Sequence, residues 1–143
     1  MCLNNKKYII IITLVSLIFC QIPDAMGRKG AVTSSNEYAT QIGIDILKAG
    51  GNAVDAAVAV GFALAVTHPG AGNIGGGGFM VVHRSNGEVL TIDFRETAPL
   101  NASRDMFLDD QGNVIPGKSW NTALAAGVPG SVAGFGMAHE KYG

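Results

Sequence analysis

The stretch from Ala53 to Val66 constrains the fold of this chain most. It reads Ala-Val-Asp-Ala-Ala-Val-Ala-Val-Gly-Phe-Ala-Leu-Ala-Val, and Asp55 is its one charged residue. A helix that is apolar almost all round has to be buried on most sides, so other layers must cover it. Its many small residues permit close backbone approach. Asn52 is placed to cap this helix, and Asp55 falls in the first turn, where a carboxylate is favoured. Pro69 ends the segment.

The flanking sequence supplies candidate layers. Ser34 with Glu37 three residues later has capping-box spacing and predicts a first helix with Ala39, Ile42, Ile46 and Leu47 on one face. Lys48 suits the end of that helix, and Gly50-Gly51 a left-handed stop. Gly70 to Gly78 form a loop with six glycines. Phe79 to His83 read as a strand, Asn86-Gly87 as a type I′ turn, and Val89 to Phe94 as the returning strand. Arg95 then lies just past a strand end. Asp109 to Asn113 read as a turn, and Gly130-Ser131 opens a last helix to about Tyr142. Helices, a hairpin and more helix predict layered α and β structure. Two strands do not make a stable sheet alone, so further strands are expected from sequence beyond residue 143.

Of the 143 residues, 48% are hydrophobic and 15% charged, which suits a packed core. A net charge of −1 offers no basic surface for nucleic acid. Lys6 and Lys7 followed by the apolar run Tyr8 to Cys20 read as a secretory signal, with cleavage after Gly27. The run is shorter than the ~20 residues that span a bilayer, although an uncleaved anchor is the alternative. Leu17-Ile18-Phe19-Cys20 loosely resembles a lipidation site, but Phe19 is bulky for the position before the cysteine. Both cysteines, Cys2 and Cys20, precede residue 28, so residues 28–143 contain no thiol nucleophile, disulfide or thiolate metal site.

Several motifs have a functional and a structural reading. Gly112 to Ser119 formally matches a P-loop, yet a turn precedes it and Val114, Ile115 and Pro116 stiffen it. Gly75 to Gly78 can cradle an anion with their amides or let chain pack tightly on chain. Thr67-His68 at a helix exit favours structure over a nucleophile–base pair. His83 and His139 have no partner at metal-ligand spacing, and no metal site is expected. In Asp93-Phe94-Arg95-Glu96, alternation puts Asp93 and Arg95 on one face if the strand continues, which favours a surface ion pair. The planar guanidinium of Arg95 also suits a carboxylate ligand.

Read together, five stretches resemble one family. They begin at Asp45 (Asp-Ile-Leu-Lys-Ala-Gly-Gly-Asn-Ala-Val-Asp), Thr67 (Thr-His-Pro-Gly-Ala-Gly-Asn-Ile-Gly-Gly-Gly-Gly-Phe-Met), Asp93 (Asp-Phe-Arg-Glu-Thr-Ala-Pro), Arg104 (Arg-Asp-Met-Phe-Leu) and Gly127 (Gly-Val-Pro-Gly-Ser-Val-Ala-Gly-Phe). In this order they resemble the start of the large subunit of γ-glutamyltranspeptidases, or glutathione hydrolases, over Gly30 to Gly143. The resemblance implies an α+β fold, the N-terminal-nucleophile hydrolase αββα sandwich, with only its N-terminal portion present. It implies a precursor that cleaves itself into two subunits, the small one starting with a threonine that is nucleophile and, through its amine, base. It implies that Arg95 binds the α-carboxylate of a γ-glutamyl group.

The family's Thr-Thr-His-type nucleophile segment is absent here, and Thr67-His68 matches a different motif. The chain is therefore expected to be the front part of a longer, exported enzyme, periplasmic or secreted, and inactive alone. Residues 1–27 would be its signal and 28–143 the beginning of its large subunit. Glutathione and other γ-glutamyl compounds, amino-acid or peptide acceptors and its own small subunit are the expected partners; no cofactor is expected. A non-catalytic glutamyl-binding remnant and a related acylase acting on β-lactam side chains stay open.

Overall fold

The computed structural model describes residues 27–143. The expected signal and both cysteines lie outside those residues, apart from Gly27 itself. Residues 27–31 carry no regular secondary structure, and Val32–Gly143 form a compact unit of their own. That unit is α+β. Helix α1 spans Glu37–Lys48 and α2 spans Ala53–Thr67. Strands β1 (Phe79–His83) and β2 (Val89–Asp93) follow, and α3 covers Ser131–Tyr142. A short 3-10 turn, Ala123–Ala125, precedes α3. No described helix is long and apolar enough to cross a membrane.

Helix α1 starts later than expected. Its cap is Asn36, not Ser34. The Asn36 side-chain oxygen accepts from the amides of Tyr38 and Ala39, at 3.0 and 3.3 Å. Ser34 instead braces the cap, donating to the Asn36 carbonyl at 2.8 Å and lying 2.8 Å from the Thr40 hydroxyl. Ala39 is buried and Ile46 and Leu47 half-buried, as the periodicity predicts, but Ile42 is 42% exposed. Gly43 takes the contact position, where α1 packs against Val60 of α2. A Cβ at Gly43 would stand 2.7 Å from a methyl of Val60 and 2.8 Å from one of Val32. The helix ends as expected, with Gly50 at φ +100°.

Asn52 caps α2, and the cap is reciprocal. Its side chain accepts from the amides of Val54 (2.7 Å) and Asp55 (3.2 Å), while Asp55 accepts from the Asn52 amide at 2.9 Å. Val54, Ala56 and Val60 are buried, and Gly61 admits the ring of Phe135 from α3, only 2.5 Å from where a Cβ would sit. With α1, α3 and the hairpin all packed on it, most of its length is buried or half-buried, as the apolar composition predicts. Ala53, Ala57, Phe62 and Val66, the last 81% exposed, are its open positions among the described residues.

The hairpin pairs β1 and β2 antiparallel, from Phe79 opposite Asp93 to His83 opposite Val89. Its inner face packs Met80, Val82, Leu90 and Ile92 around Val54 of α2 and Ala138 of α3, with Phe94 and Tyr142 at the edge. This is the core that fixes the end of β2. The turn is not type I′. Asn86 has negative φ, and Gly87 alone adopts +87°. The Gly87 amide donates to the Arg84 carbonyl (2.9 Å) and the Arg84 amide to the Glu88 carbonyl (2.8 Å). That pattern is a three-residue connection closed by a glycine bulge.

Candidate functional site

Arg95 sits two residues beyond β2, where three stretches meet. One is the glycine loop. The Gly78 and Phe94 backbones exchange hydrogen bonds of 3.0 and 3.4 Å, extending the ladder one step past β2. The second is the entry to α3. The amides of Gly130 and Ser131 both donate to the Gly76 carbonyl, at 2.9 and 3.1 Å. The third is the residue pair Thr97 and Val128, bridged by hydrogen bonds of 3.2 and 2.8 Å.

Packing here is backbone on backbone. A Cβ at Gly77 would lie 2.6 Å from the Phe94 carbonyl oxygen, 2.7 Å from the Glu96 nitrogen and 2.8 Å from Arg95 Cα. One at Gly130 would overlap the Phe94 carbonyl and stand 3.1 Å from that of Arg95, and one at Gly134 would overlap the Phe94 ring. Phe94 in turn stacks edge-on with Phe135 at 5.5 Å, and Phe135 with Phe62 at 5.2 Å. Of the two readings of Gly75 to Gly78, tight packing accounts for Gly77, against backbone, and for Gly78, against the Phe94 ring.

The side chains above this frame are exposed. The ladder ends with the Phe94–Gly78 pair, and although Asp93 and Arg95 are both exposed, Asp93 does not pair with the Arg95 guanidinium. Its carboxylate accepts instead from the Arg95 backbone amide, at 3.0 Å. None of the four ion pairs among the described residues includes Arg95 or Glu96. The surface ion-pair reading of Arg95 is therefore not met within the described chain. An exposed guanidinium on a rigid backbone, with no carboxylate in contact, can donate two parallel hydrogen bonds to an incoming one.

The other candidates fall elsewhere. No helix starts at Lys118: the Gly112–Ser119 stretch is a chain of turns, with Gly112 and Gly117 at positive φ. The Asp109–Asn113 turn forms as expected. The Asn113 backbone amide is the main cause holding the Asp109 carboxyl below its ordinary range, against a smaller opposing effect of desolvation. Thr67 donates its hydroxyl to the Ala63 carbonyl at 3.1 Å, a helix-end role, and exposed His68 caps α2.

One contact carries no local sequence signal. His139 Nδ1 of α3 lies 3.0 Å from Asp55 Oδ1 of α2. The pair borders an open groove of about 490 Å³ lined also by Ile46, Val58 and Ala59, and a second cleft of about 230 Å³ opens beside Asn52 and Tyr142. Neither includes Arg95.

A family model described as gamma-glutamyltranspeptidase matches residues 39–143. A glutathione hydrolase proenzyme of Escherichia coli is 64% identical over 116 residues, which are 81% of this chain and 20% of that protein. The chain thus spans about one fifth of the length of such curated relatives. Among solved structures, a γ-glutamyltranspeptidase of Helicobacter pylori superposes with a TM-score of 0.79 at 57% identity, covering 84% of this chain and 34% of that one. A γ-glutamyltranspeptidase of Pseudomonas nitroreducens, solved in complex with L-DON, gives 0.75 at 49% identity, covering 82% and 35%.

Proposed function

Because the chain belongs to the γ-glutamyltranspeptidase family, we propose that it forms the front of the large subunit of an enzyme that cleaves γ-glutamyl amides such as glutathione. In this reading a threonine hydroxyl, at the start of a small subunit released by self-cleavage, attacks the γ-carbonyl carbon. Its proton passes to the threonine amine and on to the departing amine, leaving a γ-glutamyl ester on the enzyme. Water or the amine of an amino acid or peptide then attacks the ester and regenerates the hydroxyl. This chain contributes the anchor: Arg95 holds the α-carboxylate, so that the γ-carbonyl is presented at a fixed distance from it.

One observation carries the assignment of Arg95. Its guanidinium has no anionic partner among the described residues, while the residue that could have served, Asp93, is engaged by the backbone. The arginine of the Asp-Phe-Arg-Glu stretch has the carboxylate-binding role in the family that this chain resembles. The αββα sandwich is the matching fold proposal. The outer face of the hairpin, with Phe79, Val81 and Val89 more than half exposed, is where a second sheet would stack. Export to the periplasm or outside the cell is part of the same proposal and rests on the signal pattern before residue 28.

The test uses the self-processed, full-length enzyme. Arg95→Ala is expected to raise KM for a γ-glutamyl anilide by at least about tenfold, because charge-assisted hydrogen bonds contribute ~1.5–3 kcal/mol each. Arg95→Lys should fall between the two, since it keeps the charge and loses the fork. An unchanged KM in both variants sinks the assignment.

A further inference from the structure

We infer that Asp93 is a positioning residue for Arg95, setting the direction of the guanidinium through the backbone without touching the ligand; this rests on the reading of Arg95 as the carboxylate anchor. Asp93 is the last residue of β2, and its side chain is exposed on the outer face of the hairpin, opposite Phe79. A free carboxylate two residues from a free guanidinium would ordinarily compete with any anionic ligand for it. Here Asp93 Oδ1 accepts the Arg95 amide at 3.0 Å. That bond does two things. It ties the Arg95 backbone to the end of β2 as the chain leaves the ladder after the Phe94–Gly78 pair. It also occupies the carboxylate, lowering its competition for the guanidinium.

The rest of the frame limits movement in other directions. Gly77 abuts the backbone of residues 94–96 on one side, and Gly130 abuts the carbonyls of Phe94 and Arg95 on another. The Arg95 amide is the group in this stretch that a side chain holds. An asparagine at residue 93 could accept the same bond with its amide oxygen; an alanine could not.

The discriminating experiment compares Asp93→Ala, Asp93→Asn, Arg95→Ala and the Asp93→Ala/Arg95→Ala double variant in the self-processed, full-length enzyme. Each is assayed for kcat and KM on a γ-glutamyl anilide and for its melting temperature. Asp93→Ala is expected to raise KM roughly three- to tenfold, the size of one net hydrogen bond, with kcat within about twofold of wild type. Asp93→Asn should restore KM, and the double variant should be no worse than Arg95→Ala alone. Wild-type KM in Asp93→Ala, an asparagine variant as impaired as alanine, or additive effects in the double variant would each overturn the positioning role. If Arg95→Ala itself leaves KM unchanged, the anchor reading fails first, and that result is distinct from any of these.

Discussion

At Gly77 a single methyl group would collide with three backbone atoms, the Phe94 oxygen, the Glu96 nitrogen and Arg95 Cα, all within 2.8 Å. Backbone atoms do not swing aside as a side-chain end can, so the cost must be met by moving one chain segment off another. Gly77→Ala is therefore expected to destabilise the folded enzyme by about 1–3 kcal/mol, the usual range for overpacking. Gly136 in α3 is the matched contrast, with open space around its would-be Cβ and negative φ. Gly136→Ala should be neutral or stabilising by up to ~1 kcal/mol, because alanine is the better helix former. Thermal melts of both variants check the pair; equal melting temperatures would contradict the close packing at residue 77. The same collision would shift Arg95, so the loss of stability should come with a raised KM for a carboxylate-bearing substrate.

At the scale of elements, α2 and α3 are joined through their polar ends. Asn52 donates from its side chain to the Tyr142 carbonyl at 2.7 Å, and Asp55 meets His139. The Asn52 amide, first, and His139, after it, hold the Asp55 carboxyl below its ordinary value of 3.8, outweighing desolvation. A carboxylate depressed in the folded state stabilises that state above its unfolded pKa and loses the contribution as pH falls through the folded value. The Asp55 contribution should thus be complete above about pH 5 and decline below 3.8. Asp55→Asn should lower the melting temperature at neutral pH and narrow its gap to wild type as the pH drops below 4; a constant gap would argue against the linkage.

How much of these elements could be read beforehand depended on the range of the deciding interaction. The Asn52 cap, the glycine stop at Gly50 and both strands are local signals, and each was legible. The hairpin turn departs from the type I′ expectation because register, not the Asn-Gly dipeptide, decides loop length. Pairing His83 with Val89 leaves five residues between the strands, and Arg84 bridges to Glu88 across them at 2.9 Å. The cap of α1 moved from Ser34 to Asn36 because two good capping residues stand two apart and the chain uses both. Arg95 was legible as a candidate, but not the engagement of Asp93 with its backbone, which depends on where the strand stops. The Asp55–His139 contact spans 84 positions and has no local signature.

For the whole molecule, the outer face of the hairpin matters most. Phe79, Val81 and Val89 are 66%, 69% and 60% exposed, side by side on a two-stranded sheet. Such a sheet is marginal in water, and an apolar patch of this kind invites association. Residues 28–143 alone are expected to bind a hydrophobic dye and to self-associate. Val81→Lys should reduce both in the isolated piece, yet lower the yield of self-processed full-length enzyme if a second sheet stacks there. Failure of the isolated piece to bind dye would mean that the face is covered by something else.

The bridge between Thr97 and Val128 closes the neck of the long excursion that departs from the chain just past Arg95. Inside it, the Leu108–Val114 bridge and the turns after Ile115 bond mostly to one another. A loop tied off in this way can grow or shrink at little entropic cost, since closure depends only weakly on length. Length changes in that excursion outside Arg104–Leu108 then need not disturb the register of the arginine at its base.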